Sequence, residues 1–247
     1  MNPAPVVQDK PVNGADSTLA DSVREQLIEK YATANQYDRA LEQIEYLLKK
    51  NAVNPAWLYM KADALEKKGD TSAAIDNYKK AIESAGMFVD AEMKLANLLA
   101  ETGNESALAI CDALLKKPAG LRMRSDILLI KGIYYTRIQK PQQAIAIFDQ
   151  IIKEDYSYLD AYIEKGLIYY DQKKYKEALK VFELTTTVKN SFAEGYYWMA
   201  KAQEKMEQKE ESINNYKRTL ALDQSFTEAR EGLKRLGALK GKDIVNK

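Results

Sequence analysis

Two stretches of the chain, 34 residues apart, share one pattern of side chains. Residues 128–148 read LLIKGIYYTRIQKPQQAIAIF, and residues 162–182 read YIEKGLIYYDQKKYKEALKVF. In both, a bulky residue is followed by glycine at +4, tyrosine at +7, alanine at +16 and phenylalanine at +20. Offsets of four and seven residues place side chains on one face of an α-helix. Each stretch therefore predicts two amphipathic helices joined by a turn.

The pattern occurs six times between about residue 18 and residue 223. A small residue of the second helix recurs at intervals of 34, 33, 37, 34 and 34 residues, at Ala40, Ala74, Ala107, Ala144, Ala178 and Ser212. Four positions later stands a bulky or apolar residue, at Ile44, Tyr78, Cys111, Phe148, Phe182 and Tyr216. Twelve positions before the small residue, the first helix has Ile28, Ala62, Leu95, Gly132, Gly166 and Ala200. Since no alternating strand pattern is present, the sequence predicts an all-α chain of repeated helical hairpins.

These repeats resemble the tetratricopeptide repeat, whose pattern also runs bulky residue, small residue, tyrosine, alanine and phenylalanine. The resemblance covers six repeats, and it implies an α-solenoid of stacked antiparallel helix pairs wound into a right-handed superhelix. The chain departs from the family in having no tryptophan in the first bulky slot and no proline that closes the second helix. Arg24 occupies the bulky slot of the first repeat. We interpret it as an exposed residue of a terminal repeat.

The repeats divide the chain into four parts. Residues 1–17 hold three of the six prolines and predict a flexible leader; residues 18–224 form the six hairpins; residues 225–239 form a capping helix, and residues 240–247 a flexible tail. Ser225 followed by Glu228 predicts a capping box at the start of the last helix. Asn54 with Pro55 predicts another helix start. The 37-residue interval predicts a longer turn around residues 117–120.

The composition excludes several classes of function. The chain of 247 residues has 37 basic and 36 acidic side chains, one cysteine and no histidine. A net charge of +1 argues against a nucleic-acid surface, because phosphate neutralisation needs a basic excess. Without histidine, the commonest general base and metal ligand are missing, and Cys111 is expected to be a buried structural thiol. We predict neither an enzyme nor a site for a cofactor, metal or nucleotide.

The positions opposite the core of the first helices are the candidate binding site. In the resembled family the first helices line the concave side, and positions 15, 14, 11 and 8 before the small residue face away from the core. In the first repeat they are Glu25, Gln26, Glu29 and Ala32, an ordinary solvated face. In later repeats they become apolar and aromatic, and the predicted partner-binding groove comprises Tyr59, Met60, Met93, Leu129, Ile130, Ile133, Ile163, Tyr170, Tyr197 and Trp198. Neighbouring repeats could instead bury much of this set.

The resulting hypothesis is a noncatalytic scaffold or adaptor that binds a peptide or an amphipathic helix of another protein in this groove. We expect Tyr197 and Trp198 to be open enough that alanine there weakens binding and leaves stability nearly unchanged. The groove lacks the basic residues that would hold a peptide carboxylate. Lysines recur thirteen positions before the small residue, at Lys61, Lys94, Lys131 and Lys165, and we interpret them as apolar stems with solvated heads.

Two further questions stay open from the sequence. The alternative function is self-association, in which the chain is a structural component of a larger, possibly envelope, assembly and forms a homo-oligomer. No apolar run approaches the about 20 residues of a transmembrane helix. The leader looks like the tether that follows a removed signal or lipid-attachment segment in bacterial envelope repeat proteins. It favours the cell envelope or periplasm, with the cytoplasm as the alternative.

Overall fold

The computed structural model describes residues 20–239, so the leader of residues 1–17 and the tail of residues 240–247 lie outside the described residues. Within that range the chain forms 13 α-helices and no strand. The first helices of the hairpins are α1 (Asp21–Thr33), α3 (Pro55–Lys68), α5 (Val89–Glu101), α7 (Leu121–Arg137), α9 (Leu159–Asp171) and α11 (Ala193–Lys205). The second helices are α2 (Tyr37–Lys50), α4 (Thr71–Ala85), α6 (Ser106–Leu115), α8 (Pro141–Glu154), α10 (Tyr175–Val188) and α12 (Lys209–Leu222). The last helix is α13 (Thr227–Arg235). The predicted all-α solenoid is confirmed.

The contacts divide the chain into two compact units, and the division falls between Leu98 and Leu99 inside α5. In the N-terminal unit, α1 packs on α2, α2 on α3 and α3 on α4. In the C-terminal unit, each helix from α6 to α13 packs on the next, and the first helices α7, α9 and α11 also touch in sequence. Each unit is therefore a row of helical hairpins in which neighbours along the chain are neighbours in space.

The turn inside each hairpin has the same geometry in all six repeats. One residue of the turn has a positive φ, between 56° and 91°, at Asn35, Gly69, Gly103, Gln139, Lys173 and Glu207. The next residue donates its backbone N–H to a carbonyl five positions back, at 2.8–3.0 Å, as in Lys174 to Tyr169. This is the Schellman ending of an α-helix, which supplies a partner for a carbonyl of the last turn. The second helix starts two residues after the positive φ in five repeats and three residues after it in the third, from Gly103 to Ser106, so the turns are tight.

The long interval between the third and fourth repeats extends a helix more than it lengthens a turn. Helix α7 has 17 residues, whereas α9 has 13. The linker before α7, residues 116–120, is one residue longer than the linker before α9, residues 155–158. The prediction of a longer turn is thus correct for one residue. Relative to the bulky residues Leu128 and Tyr162, α7 begins four residues, about one turn, earlier than α9, whereas α6 ends two residues sooner after its small residue than α8 does.

Glycine and phenylalanine fit together inside two hairpins of the C-terminal unit. A Cβ atom on Gly132 would lie 2.2 Å from Cε1 of Phe148, and one on Gly166 would lie 2.2 Å from Cε1 of Phe182. Both phenylalanines are completely buried. The first helix therefore needs a residue without a side chain at the point where the ring of the second helix meets it. This packing explains the small-residue slot of the repeat.

Arg24 is buried, and the prediction that it is exposed is wrong. Its side chain has no accessible surface. The guanidinium donates from Nη1 to Oε1 of Gln43 at 2.6 Å and lies 3.6 Å from the ring centre of Tyr46. Arginine suits this buried position because its aliphatic stem fills the space of a bulky residue. Its guanidinium bonds to the buried amide of Gln43 and stacks on the ring of Tyr46, so the charged group has partners.

Three further predictions concern single residues. Asn54 does cap α3, since its side chain accepts from the backbone N–H of Trp57 at 3.1 Å, and Pro55 opens the helix. The capping box at Ser225 is wrong: α13 begins at Thr227, and the Ser225 side chain donates to Asp223 instead. Cys111 is confirmed as a buried thiol, and burial raises its pKa to about 12. A thiol with that pKa stays protonated at neutral pH and is a poor nucleophile.

Candidate functional site

The surface predicted to bind a partner lies 15, 14, 11 and 8 positions before the small residue of each repeat, and we call it the first-helix face. Of its ten predicted contact residues, eight are half-buried and two are buried. The half-buried set is Tyr59, Met60, Met93, Leu129, Ile133, Tyr170, Tyr197 and Trp198. None is fully exposed, so each side chain already has neighbours within the chain. The face is accordingly described one unit at a time.

The N-terminal unit has an open groove of about 550 Å³ between α1 and α3. Its apolar lining consists of Ile28, Ala32, Ala40, Tyr59, Met60 and Ala64. Its polar and charged lining consists of Ser22, Glu25, Gln26, Glu29, Thr33, Asp63 and Lys67. Tyr59 and Met60, two predicted contact residues from α3, thus face this groove. We call it the α1/α3 groove.

The charged residues of the α1/α3 groove are mostly carboxylates. Asp63 pairs with Lys67 at 2.8 Å and with Lys94 of α5 at 3.4 Å. Glu25 accepts a hydrogen bond from the indole Nε1 of Trp57 at 2.8 Å. Glu29 is exposed and has no ion-pair partner among residues 20–239. Two carboxylates that lie one helical turn apart, at positions 25 and 29, are therefore available to a ligand.

The first repeat, predicted to contribute a solvated face, also contributes to the lining of this groove. Glu25, Gln26, Glu29 and Ala32 were identified at the right positions and excluded because of their polarity. They line the same groove as Tyr59. The signal in the sequence was their offset from Ala40, which equals the offset of the apolar residues in later repeats. Polarity does not separate them from the lining of this cavity, because grooves commonly join apolar residues to a few charged ones.

Tyr59 is held in place by two aromatic neighbours. Its ring centre lies 5.6 Å from that of Tyr78 and 5.2 Å from that of Phe88. Burial raises the pKa of the Tyr59 hydroxyl. One side of the ring therefore belongs to the core of the unit while the other lines the groove. Met60, the next residue, is half-buried and lines the same groove, so it also serves as a probe of the groove.

The C-terminal unit has a second, more polar cavity, of about 470 Å³. It is lined by Glu101, Ile133, Thr136, Arg137 and Glu164. Burial raises the pKa of the Glu164 carboxyl, and the carboxylates of Glu194 and Asp160 add to the effect. Ile133 is the predicted contact residue that faces this cavity. Glu164 was passed over in the sequence, although it lies 14 positions before Ala178 and therefore on the first-helix face.

Tyr197 and Trp198 pack within the chain, which corrects the expectation that they can be removed at little cost. The Tyr197 ring lies 4.9 Å from Phe226 and 5.1 Å from Trp198. The Trp198 ring stacks on Phe182 at 5.9 Å, and its Nε1 donates to Glu194 at 3.2 Å. Tyr170 lies 6.0 Å from Trp198. Alanine at 197 or 198 would therefore remove packing as well as any partner contact.

The remaining predicted residues divide between core and face. Ile130 and Ile163 are only 5% exposed, and they belong to the core, not to an open surface. Ile163 packs in the cluster that contains Phe182, and Leu129 packs against the cluster that contains Phe148. Their burial follows from the stacking of α7, α9 and α11, because first helices that touch cover part of each other's flank. Met93 of α5 is half-buried.

The four recurring lysines form ion pairs within the chain. Lys61 pairs with Glu45, Lys131 with Asp112 at 2.7 Å and Lys165 with Asp149 at 2.5 Å. In each pair a lysine of a first helix reaches a carboxylate of the preceding second helix. Lys94 instead reaches Asp63 at 3.4 Å and Glu66 at 3.6 Å on α3. These four ammonium groups therefore form ion pairs between neighbouring helices, and they do not form a row of free cations for a ligand.

Between residues 20 and 239, no helix has both the length and the apolar content required to cross a bilayer. In the same range, no three acidic, histidine or cysteine side chains converge as a metal-binding group.

Comparison with known proteins identifies the repeats. A profile described as Tetratricopeptide repeat matches residues 27–87, 59–120 and 131–187, and a second profile of the same description matches residues 193–226. A search of the curated proteins finds no match.

Solved structures share the fold at low sequence identity. A tetratricopeptide repeat protein from Parabacteroides merdae is 17% identical with a TM-score of 0.71, over 90% of this chain and 86% of that one. The pilF protein of Pseudomonas aeruginosa is 15% identical with a TM-score of 0.59, over 87% of this chain and 97% of that one. The C-terminal part of a repeat protein from Cytophaga hutchinsonii is 17% identical with a TM-score of 0.58, over 88% and 84%. Since the repeat profile matches more than half of its residues, the chain belongs to the tetratricopeptide repeat family.

Proposed function

We propose that this chain is a noncatalytic adaptor that binds a peptide or an amphipathic helix of another protein on its first-helix face. Tetratricopeptide repeat proteins generally mediate protein–protein interactions. The observation that carries the proposal is the α1/α3 groove, in which an apolar floor is open to solvent beside Glu25 and Glu29, two carboxylates with no ion pair among residues 20–239. A groove with few convergent polar groups and a continuous apolar lining suits a side chain of a partner.

The energetics of such binding are sufficient for a transient complex. Fully burying one Leu, Met or Phe side chain contributes about 2 kcal/mol. Three or four anchors would then contribute about 6 to 8 kcal/mol, and after an association cost of about 4 kcal/mol or more they leave an affinity on the order of millimolar or weaker. The half-buried residues of the face limit what each contact can add, because part of their surface is already covered. A partner must therefore engage several repeats of a unit or supplement the apolar contacts with charge.

The proposal of a noncatalytic role follows from the side chains available. The chain has no histidine. Its one thiol is buried with a pKa raised to about 12. Acid–base catalysis by carboxylates would need a pair that faces one substrate position with separated pKa values. Glu164 has a raised pKa, but its carboxylate neighbours act on it by repulsion and do not form a hydrogen-bonded pair with it.

Site-specific photocrosslinking in the native source tests the proposal. Benzoylphenylalanine replaces Met60 in one variant and Ile133 in another, since both are half-buried and line cavities. The control is Leu184, which is 49% exposed on the second helix α10 and is of similar size. We expect adducts with a partner at positions 60 or 133 and none at 184. Adducts confined to position 184 would contradict binding on the first-helix face.

The same experiment separates the alternative of self-association. An adduct of twice the chain's mass would identify a second copy as the partner. Light scattering over a dilution series then measures whether the mass falls with concentration, as mass action requires for a homo-oligomer. A constant monomer mass together with adducts of other proteins favours the adaptor.

A further inference from the structure

We infer that the α1/α3 groove selects a cationic amphipathic segment, in which an apolar side chain enters the groove and a lysine or arginine one helical turn away meets Glu25 and Glu29. The inference rests on the proposed function and names the chemistry of its partner. It assigns to the groove the opposite preference from that of a carboxylate-binding site.

The floor of the α1/α3 groove is apolar and open. Tyr59 and Met60 of α3 face Ile28 and Ala32 of α1 across a volume of about 550 Å³. Small residues at positions 32, 40 and 64 leave that space open. The space admits one or two large aliphatic side chains, and it is open along one side, as an incoming helix requires.

The charged side chains that line the groove carry a net negative charge. The lining has three carboxylates, Glu25, Glu29 and Asp63, and one cation, Lys67. Lys67 is already committed to Asp63, which Lys94 also approaches at 3.4 Å. Asp63 is therefore neutralised within the chain, and the unbalanced charge belongs to Glu25 and Glu29. The indole N–H that Glu25 accepts leaves its negative charge in place.

The spacing of the two carboxylates fits a helical ligand. Residues four apart lie on one face of α1, about one turn from each other. A ligand with a basic residue at either end of an apolar turn can thus place one cation near each carboxylate. Acidic ligands would bring like charges together and would be repelled, which gives selectivity more than affinity.

Matched peptides and the chain's own tryptophans provide the test. The probes are two 16-residue synthetic helices on the same alanine and leucine scaffold, one with four lysines flanking the leucine stripe and the other with four glutamates. Trp57 reports binding by fluorescence in the full chain carrying Trp198→Phe, since its indole bonds to Glu25 at the rim. We expect the lysine peptide to bind about tenfold more tightly at low salt, and the difference to shrink at high salt by screening.

Variants locate the selectivity. Glu29→Gln, alone and with Glu25→Gln, keeps the shape of the rim and removes charge, so the preference for the lysine peptide should fall several-fold at each step. The matched control is Glu42→Gln on α2, which removes an exposed carboxylate of the same unit outside the groove lining and should leave the preference unchanged. An equal loss in the control would mean that net charge, and not the groove, sets the preference, and it would overturn the inference.

The outcomes distinguish the inference from the proposed function. If both peptides bind equally, or the glutamate peptide binds more tightly, the inference fails while peptide binding stands. If neither peptide binds and Met60 gives no adduct in the crosslinking experiment, the proposed function fails for this unit as well. A third probe, the peptide of residues 1–17, tests the chain's own leader as occupant, and tighter binding of that peptide than of the lysine helix would overturn the inference.

Discussion

Glu164 shows how a single residue of the first-helix face can oppose folding. Its carboxyl is largely withdrawn from water, and burial raises its pKa, with further increases from Glu194 and Asp160. A raised pKa means that the folded chain binds the proton more tightly than the unfolded chain does. Above the folded pKa, the ionised carboxylate therefore costs stability. That cost disappears as the pH falls through the folded pKa to below the ordinary value of 4.5.

We accordingly predict that Glu164→Gln raises the free energy of unfolding at pH 7 and that this gain is lost near pH 4. Glutamine has the same shape without the charge, so it removes the desolvation cost only where the carboxyl is ionised. Urea unfolding of the variant and the parent chain at both pH values measures the difference. Glu183→Gln on the exposed surface of α10 is the control, and it should change stability little at either pH. A gain that is equal at both pH values would contradict a charge effect.

At the residue scale, the sequence predicts the position of a side chain on its helix better than it predicts how far neighbouring helices bury that side chain. The offset rule placed Tyr59, Met60 and Ile133 correctly on surfaces that line cavities. It could not predict that Ile130 and Ile163 are buried, because the angular position of a residue on its own helix does not specify how closely the next first helix approaches. The burial of Arg24 was not predictable for a related reason, because its partners Gln43 and Tyr46 lie on another helix.

At the scale of an element, the hairpin turn repeats the same backbone with different residues. Gly69 and Gly103 take the positive φ without strain, whereas Asn35, Gln139, Lys173 and Glu207 take it with a side chain. The left-handed conformation costs most non-glycine residues about 1 kcal/mol or slightly more. Four of the six turns therefore carry a small strain, which the Schellman hydrogen bonds of each turn hold in place.

At equivalent positions of two turns, we predict changes in stability of opposite sign. Lys173→Gly relieves a φ of 61° and should stabilise the chain by up to about 1 kcal/mol, the gain being reduced by the larger entropy of glycine in the unfolded state. Gly69→Ala should cost about 1 kcal/mol through the backbone conformation, because no atom lies within 4 Å of its added Cβ. Urea unfolding measures both. Destabilisation by Lys173→Gly would show that the lysine side chain makes a contact that outweighs the strain.

The helices themselves were the most predictable elements, and their ends were the least. The 34-residue repeat predicts a first and a second helix in every copy, and all twelve are present. The start of α7 was not predictable, since the extra residues around Pro118 could equally have formed a loop. The helix starts early because residues 121–124 are good helix formers, and Ser125 and Ile127 of the following turn are buried. The start of α13 was misplaced because Asp223, one turn earlier, binds the serine that was expected to cap the helix.

At the scale of the whole molecule, the period predicts the architecture, and the openness of the face has to be read from the coordinates. A repeat of fixed length requires each hairpin to bury its apolar stripe on the next, so the row of stacked hairpins follows from the spacing, and the resemblance to the repeat family adds the superhelix. How much of the first-helix face remains open depends on how closely neighbouring helices approach each other. That separation varies by about 2 Å with the side chains at the contact, and the repeat spacing does not determine it. The α1/α3 groove exists because small residues at positions 32, 40 and 64 line it.

The same nearest-neighbour principle predicts how damage spreads along the molecule. Gly166→Val forces a side chain against Phe182, whose Cδ1 and Cζ would lie 2.7 Å from the new Cβ. Overpacking of this kind costs about 1 to 3 kcal/mol. Phe182 stacks on Trp198 in the C-terminal unit, whereas Trp57 lies in the N-terminal unit. We therefore expect the variant to lower the urea midpoint reported by Trp198 more than the midpoint reported by Trp57.

Single-tryptophan chains make that measurement, with Trp57→Phe leaving Trp198 as the reporter and Trp198→Phe leaving Trp57. Each is compared with its own parent, since removing Trp198 also removes packing on Phe182. The milder Gly166→Ala serves if the valine variant does not fold, and Phe182→Leu in the same chain should recover part of the loss by giving the new side chain room. Repeats that interact only with their neighbours transmit a local defect weakly, so the two midpoints should separate. Equal shifts at both tryptophans would show instead that residues 20–239 unfold as one cooperative block, and the nearest-neighbour description of this chain would have to be abandoned.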